Sequence, residues 1–231
     1  MSGGEPGAPL AEAVDGARPD RPTPEFEVLE ARPVERSLAP TLVFRARVGD
    51  ASGRAVYTIA ASILITIEPA KRSYDGDTRA RLVELFGEPG RWATTTTSFR
   101  WAQVDVLVPR FAGATEFEIP VPCTYDVEVA AAKYLHGLAD GQAPLRFHFS
   151  GTILYQGEGG AIQMVPIPWD CSVRYSMPVS AWQRMIAAHY PHRGWIPLHT
   201  ETIERLSRRK TEAGAPTYDD LIERLLEAGD G

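Results

Sequence analysis

The chain has 231 residues, a hydrophobic content of 44% and a formal net charge of −6. That size can bury a large apolar core, and two cysteines are too few for a disulfide scaffold. The interspersed charges argue against a general nucleic-acid or anionic-membrane binder, since either needs a cationic surface.

The N-terminal segment, residues 1–24, is rich in Gly, Ala and Pro and nearly lacks large apolar side chains. Such a composition cannot offset the entropy cost of ordering, so we predict a disordered tail. A docking arm for a partner is the alternative. The chain start resembles no secretory signal, and no stretch approaches about 18 consecutive apolar residues. We therefore expect a soluble, cytoplasmic protein without a membrane span.

Alternating apolar residues predict most of the following chain to be strands. The first lies around Phe26, the second spans residues 42–48 and ends in a turn at 49–53, and the third spans 58–67. The pattern then changes to helical spacing over residues 77–86, with Asp77 as the expected N-cap.

The second half of the strand region contains one helix between strands. We predict strands at 94–108, 117–125 and 145–155, and a helix at 126–138. A further strand is predicted at 165–177, where seven apolar residues share one face: Val165, Ile167, Trp169, Cys171, Val173, Tyr175 and Met177.

Two proline pairs constrain the sheets. Pro120 and Pro122, and likewise Pro166 and Pro168, stand two residues apart, so both members lack an amide donor on the same side of their strand. Each strand must therefore lie at a sheet edge on that side, or bulge.

The last third is helical. Ser180 and Gln183 suggest a capping box for a helix that reaches Tyr190, and Thr217 with Asp220 suggests another for the final helix. A charged helix covers roughly 200–212. About eight strands without a βαβ rhythm predict a mainly β (α+β) fold, a two-layer antiparallel β-sandwich with a few short helices. We expect one domain over 25–231, with C-terminal helices at about 179–228.

Both cysteines, Cys123 and Cys171, fall on apolar strand faces, which favours small buried side chains over a metal-ligand pair or redox switch. His189, His192 and His199 lie in and around one loop and could gather around zinc or nickel. Their spacing matches no known ligand pattern, and His189 is expected to pack in a helix stripe. We therefore predict no metal and no cofactor.

Four side chains are candidates for contact with a partner or ligand. His148 and Asp170 could form an acid–base pair, although a solvated sheet face explains them as well. Trp195, with His192 nearby, could be a binding anchor in its loop, or else a cap on the core. The sequence lacks a nucleophile elbow, a P-loop and a dinucleotide fingerprint, so no catalytic residue is assigned.

Two segments carry a family resemblance. AAAKYLHGLADGQAPLRFHFSGTILY at 130–155 and VPIPWDCSVRYSMPVSAWQRMIAAHYPHRGWIPLH at 165–199 resemble an uncharacterised actinobacterial family, a domain of unknown function. Its members tend to be encoded beside genes of the high-affinity nickel–iron uptake hydrogenase. The resemblance implies accessory work in hydrogenase assembly, maturation or stabilisation, with a hydrogenase subunit or maturation factor as partner.

Two functions remain open. The favoured one is a non-enzymatic accessory protein that binds a partner through a sheet edge or the Trp195 loop. The alternative is a small-molecule- or metal-handling protein, in one version an enzyme. Its pocket would lie between sheet and helices, with Cys123, Cys171, His148 and Asp170 as candidates.

Overall fold

A computed structural model describes residues 21–35, 37–123, 129–191 and 198–229. The chain divides after Pro191 into two compact units. In the residues that the structure describes, the first unit holds the strands and four α-helices, and the second unit holds two α-helices. The expected single domain over 25–231 stays a prediction. The expected tail lies outside the described residues up to position 20, and the first strand already begins at Pro24.

Among the described residues of the first unit, nine strands form two antiparallel sheets, which confirms the mainly β (α+β), sandwich-like fold. The first sheet has the order β1-β2-β6, from Pro24–Pro33, Thr41–Asp50 and Ala114–Pro122. The second sheet has the order β4-β3-β7-β8, with β5 paired to β3 and β9 paired to β7. Its strands are β3 (Ala55–Ile67), β4 (Phe99–Val108), β5 (Phe111–Ala112), β7 (Gln142–Gln156), β8 (Ile162–Pro166) and β9 (Ser172–Pro178).

The inner faces of the two sheets form the core. Phe26 of β1 stacks on Phe149 of β7 with ring centroids 4.0 Å apart, and Phe44 of β2 meets Phe147 edge-on at 5.1 Å. In β3 every second residue from Ile59 to Ile67 is buried, as the alternation predicts. Aromatic pairs in these geometries add to the free energy gained by burying their area.

Both proline predictions are confirmed at the level of the sheets. The strand with Pro120 and Pro122 is β6, which lies at one edge of the first sheet. Pro166 ends β8, which lies at an edge of the second sheet. A missing amide donor is tolerated there because no further strand needs it.

The predicted continuous strand at 165–177 is wrong. β8 ends at Pro166, β9 begins at Ser172, and both pair with the same strand β7. The residues between them leave the ladder. Trp169, expected on the buried face, is 95% exposed. The strand breaks here because Pro168 has no amide to donate and the chain turns at Trp169 and Asp170.

Four helices belong to the first unit: α1 (Gly76–Phe86), α2 (Trp92–Thr95), α3 (Val129–Gly137) and α4 (Val179–His189). The helix predicted at 77–86 is present, but its N-cap is Asp75 and not Asp77. Asp75 has an extended backbone and accepts from the Thr78 amide at 2.7 Å and the Thr78 hydroxyl at 2.9 Å. Asp77 already lies inside the first turn.

Two other local predictions also fail. The strand expected from Thr94 begins only at Phe99, because the hydroxyls of Thr94 and Thr95 donate back to the Arg91 carbonyl and hold a helical turn. The Ser180–Gln183 capping box does not form. Gln183 instead donates to the Ala139 carbonyl at 2.8 Å.

The helix expected at 126–138 is observed as α3 from Val129, and residues 124–128 lie outside the described chain. The second unit contains α5 (Thr200–Glu212) and α6 (Tyr218–Gly229). The predicted Thr217–Asp220 box is confirmed, with Asp220 N–H to Thr217 Oγ1 at 3.1 Å and Thr217 N–H to Asp220 Oδ2 at 3.0 Å. None of the helices in the described ranges is long and apolar enough to cross a membrane.

Candidate partner-binding surface

The turn between β8 and β9 carries the most exposed tryptophan of the described chain. The Cys171 amide donates to the Pro168 carbonyl at 3.1 Å, which makes Trp169 and Asp170 the two central residues of a β-turn. Trp169 is 95% exposed, whereas Trp92, Trp101 and Trp182 are buried. We call residues 168–171 the Trp169 turn.

The base of the Trp169 turn is held on both sides by β7. The Ile167 amide donates to the Gly151 carbonyl at 3.0 Å, and the Phe149 amide donates to the Cys171 carbonyl at 2.9 Å. Ile167 is also buried in the core. The two ends of the turn are therefore fixed to β7, while the indole of Trp169 at its centre is exposed to solvent.

Exposed apolar side chains cross the outer face of the second sheet, from β4 at one edge to β8, the strand that leads into this turn. Leu107 of β4 is 76% exposed, Met164 of β8 is 72% exposed and Ile162 is 68% exposed. The register places Leu107 opposite Ala60 and Met164 opposite Leu154, so these residues run across four neighbouring strands. We call the following five residues the apolar strip: Ala60, Leu107, Leu154, Ile162 and Met164.

A glycine in β7 creates a notch in the same face. Gly151 has φ +130°, and a Cβ at this position would come within 2.0 Å of the Ala60 carbonyl oxygen. A shallow depression of about 250 Å³ opens here, and Ser62, Asp105 and Leu107 also line it. The close approach of two backbones thus requires glycine and leaves a recess next to Leu107.

The outer face of the first sheet has the opposite character. Arg45 of β2 lies between Glu30 of β1 at 3.4 Å and Glu116 of β6 at 3.3 Å. Arg32 and Glu118 form a further pair at 2.5 Å. These exposed ion pairs each contribute little to stability, but they keep this face hydrated.

The structure describes two of the four predicted site residues, His148 and Asp170. His148 is exposed on β7 and lies opposite Ser172 in the register, while Asp170 lies in the Trp169 turn. Trp195 and His192 lie outside the described residues. Sequence reasoning missed Trp169, Leu107 and Met164. The Pro-Trp-Asp order at 168–170 was a turn signal that could have exposed Trp169.

Both thiols have a raised pKa, which is the opposite of activation. Burial raises the pKa of Cys123 to about 12, and its Sγ donates to the Val121 carbonyl at 3.2 Å. Partial burial, followed by the nearby charge of Asp170, raises the pKa of Cys171. A reactive or metal-binding cysteine needs a lowered pKa, because the thiolate is the active form.

The histidine that begins the proposed metal loop is engaged within the protein. His189 Nδ1 lies 3.0 Å from the Met185 carbonyl oxygen and Nε2 lies 3.1 Å from the Ser37 hydroxyl. In the described part of the chain, no group of three or more His, Cys, Asp or Glu side chains is arranged to hold a metal ion. The metal-handling alternative finds no ligand set there.

Three solved structures show what the chain is similar to. A putative ApaA protein from Bordetella pertussis has 13% identity, with 68% of this chain and 95% of that chain covered at TM-score 0.26. A putative late embryogenesis abundant protein has 11% identity, 68% and 71% coverage, and TM-score 0.29. β-Glucosidase 3B from Thermotoga neapolitana has 10% identity, 67% and 17% coverage, and TM-score 0.24. Scores this low carry no argument about fold or function.

No curated protein matches the chain. One family does: the family of unknown function DUF6084 matches residues 21–231, which includes both segments that carried the resemblance. The match extends over both compact units and all nine strands. The chain belongs to the family of unknown function DUF6084.

Proposed function

We propose that this protein is a non-enzymatic accessory protein that binds a protein partner through the Trp169 turn and the apolar strip. The observation that carries the proposal is the 95% exposure of Trp169 on a turn whose base is fixed to β7. Tryptophan is the residue type most enriched among side chains that dominate binding energy.

Preorganisation strengthens this argument. Association costs free energy when a loop or side chain must first be ordered. The hydrogen bonds from Ile167 to Gly151 and from Phe149 to Cys171 already hold the turn in place. Burial of the indole by a partner therefore contributes binding free energy without the entropy cost of ordering the turn.

The chemistry of the surface indicates what kind of partner would fit it. Such a partner must offer an apolar pocket for the Trp169 ring, an acceptor for the indole N–H, and a flat apolar face for Leu107 and Met164. Exposed apolar patches of this kind mark sites of protein association. Asp170 and Asp105 border the surface and favour a partner that is basic at the edge.

The family resemblance suggests which protein the partner is. We propose a subunit of a nickel–iron uptake hydrogenase, or one of its maturation factors, bound in the cytoplasm during assembly. The support is the genomic neighbourhood that the resemblance implies, together with a surface suited to protein association. The proposal assigns no chemical step to this chain.

Binding of the full chain to purified hydrogenase subunits and maturation factors tests both the proposed binding surface and the proposed partner. We expect one of them to bind, and Trp169→Ala or Met164→Asp to weaken that complex at least about thirtyfold, as for a residue worth about 2 kcal/mol. Leu38→Asp is the matched control, because Leu38 is a fully exposed leucine outside the strip.

The two parts of the proposal fail separately. Binding that is unchanged by Trp169→Ala and Met164→Asp would rule out this surface. Wild-type protein that binds no hydrogenase subunit and no maturation factor, while its far-ultraviolet spectrum shows a folded chain, would rule out the partner.

A further inference from the structure

The two helices of the second unit form a hairpin fixed by contacts of its own. The Lys210 ammonium lies 5.4 Å from the centroid of the Tyr218 ring, and Arg224 donates to the Ala213 carbonyl at 3.2 Å. Gly214 makes the turn with φ +58°. The geometry of α5 against α6 is thus set locally, by the capping box and by these contacts.

This hairpin leaves most of its apolar side chains exposed. No residue of α5 is buried, and Leu221 is the single buried residue of α6. Ile203 is 47% exposed and Leu226 is 64% exposed. Helices of 13 and 12 residues are marginal unless an apolar face packs against something. The exposed apolar face of the hairpin is therefore available to a partner surface.

One side of the hairpin is a groove with a basic border. The groove has a volume of about 300 Å³ and runs between the helices, with Leu206 and Leu225 among its lining residues. Arg205 and Arg209 also line it. Arg209 has an exposed pairing with Glu212 at 3.6 Å, which leaves its remaining donors available.

The neighbouring side of α6 is a ridge with an acidic border. Ile222 and Leu226 stand four residues apart and form one apolar row on the helix. Asp219 and Glu223 each stand three residues before one of them, so they lie beside the row. Ridge and groove are therefore opposite both in shape and in charge.

We infer that a second copy of this chain docks here, with the ridge of each copy in the groove of the other. A two-fold axis requires a surface to be self-complementary, and a hairpin that carries both an acidic ridge and a basic groove meets that condition. The net charges of the two helices are also opposite in sign, since α5 carries +1 and α6 carries −3. Contact between unlike helices of two copies is attractive, and contact between like α6 helices is not.

Two charge-reversed variants of the full chain test this inference by sedimentation velocity. One carries Asp219→Lys with Glu223→Lys, and the other carries Arg205→Glu with Arg209→Glu. We expect wild-type dimers, and each variant alone to be monomeric, because its ridge and groove now repel. An equimolar mixture should form a heterodimer, since each ridge again meets a groove of opposite charge.

Leu226→Glu should abolish the dimer, and Leu107→Asp should leave it intact. Helical circular dichroism of each variant controls for loss of the hairpin. A wild-type chain that stays monomeric, or a mixture of folded variants that stays monomeric, overturns the inference. Dimerisation does not depend on Trp169, so this test and the partner-binding test have independent outcomes.

Discussion

Glu68 and Arg146 form a largely buried ion pair where β3 ends: Glu68 Oε1 lies 2.8 Å from Nε and 2.7 Å from Nη2 of the arginine. The second carboxylate oxygen lies 3.3 Å from Nε of Arg174. Arg146 of β7 and Arg174 of β9 stand directly opposite in the register. Like charges in such a position repel, so Glu68 neutralises a contact that the register would otherwise make unfavourable.

Glu68→Gln should therefore lower the free energy of unfolding by about 1–3 kcal/mol, measured by urea denaturation. The change removes the carboxylate and leaves both arginines facing each other. Glu116→Gln is the control, because it breaks an exposed pair with Arg45 and should cost less than about 1 kcal/mol. Equal losses in the two variants would mean that Glu68 is no more than a surface charge.

Gly151→Ala should destabilise the second sheet by about 1–3 kcal/mol. The new Cβ would lie 2.0 Å from the Ala60 carbonyl oxygen at a φ of +130°, so strands β3 and β7 would have to separate. Gly76→Ala, at a position with open space and an ordinary φ, should have little effect or stabilise slightly. Thermal unfolding of both variants decides the point, and similar midpoints would contradict it.

The contribution of Asp75 to stability should depend on pH. Hydrogen bonds from the Thr78 amide and hydroxyl lower the pKa of Asp75 below its ordinary value of 3.8. A lowered folded-state pKa stabilises the protein above the unfolded value, and this stabilisation disappears as the pH falls through the folded value. The difference in unfolding midpoint between wild type and Asp75→Ala should be full at pH 7 and shrink below pH 3.8.

Asp77→Ala is the control for that series. Asp77 lies inside the first turn of α1 and makes no cap there, so its replacement should change the midpoint less than Asp75→Ala does. The reverse order of the two variants would restore Asp77 as the cap.

The two thiols should differ strongly in reactivity. Cys123 is buried with a pKa of about 12, and Cys171 is half-buried at the end of the Trp169 turn. Alkylation at neutral pH, followed by peptide mass spectrometry, should label Cys171 in the folded protein and Cys123 only after unfolding. Equal native-state rates would show that the end of β6 opens far more often than its packing suggests.

Periodicity predicted the strands where the whole segment stays in the sheet. Ile59 to Ile67 pairs with β4 on one side and β7 on the other, so alternation and burial coincide. The same reasoning failed at Trp169, because alternation continues through a turn that lifts residues out of the ladder. The proline rule was correct about the edge, since a missing donor is a local chemical fact.

The candidate surface could not be predicted for a different reason. Leu107 and Met164 are 57 residues apart, and only the pairing of β4, β3, β7 and β8 brings them onto one face. Each looks like an ordinary outward position when its own strand is considered alone. The predicted N-cap of α1 was wrong by two residues. Asp75 and Asp77 are both residue types that suit an N-cap, and the path of the preceding chain decides between them.

Arg45, which pairs with acids on both neighbouring strands, makes the outer face of the first sheet unsuited to binding a protein partner. A side chain held between acids on both neighbouring strands gains nothing from a dry contact, since removing water would leave the surplus carboxylates unpaired. Dyes, affinity handles or fused domains attached on the β1-β2-β6 side should therefore leave the complex formed through the Trp169 turn and the apolar strip undisturbed, while the same additions on the outer face of the second sheet would block it.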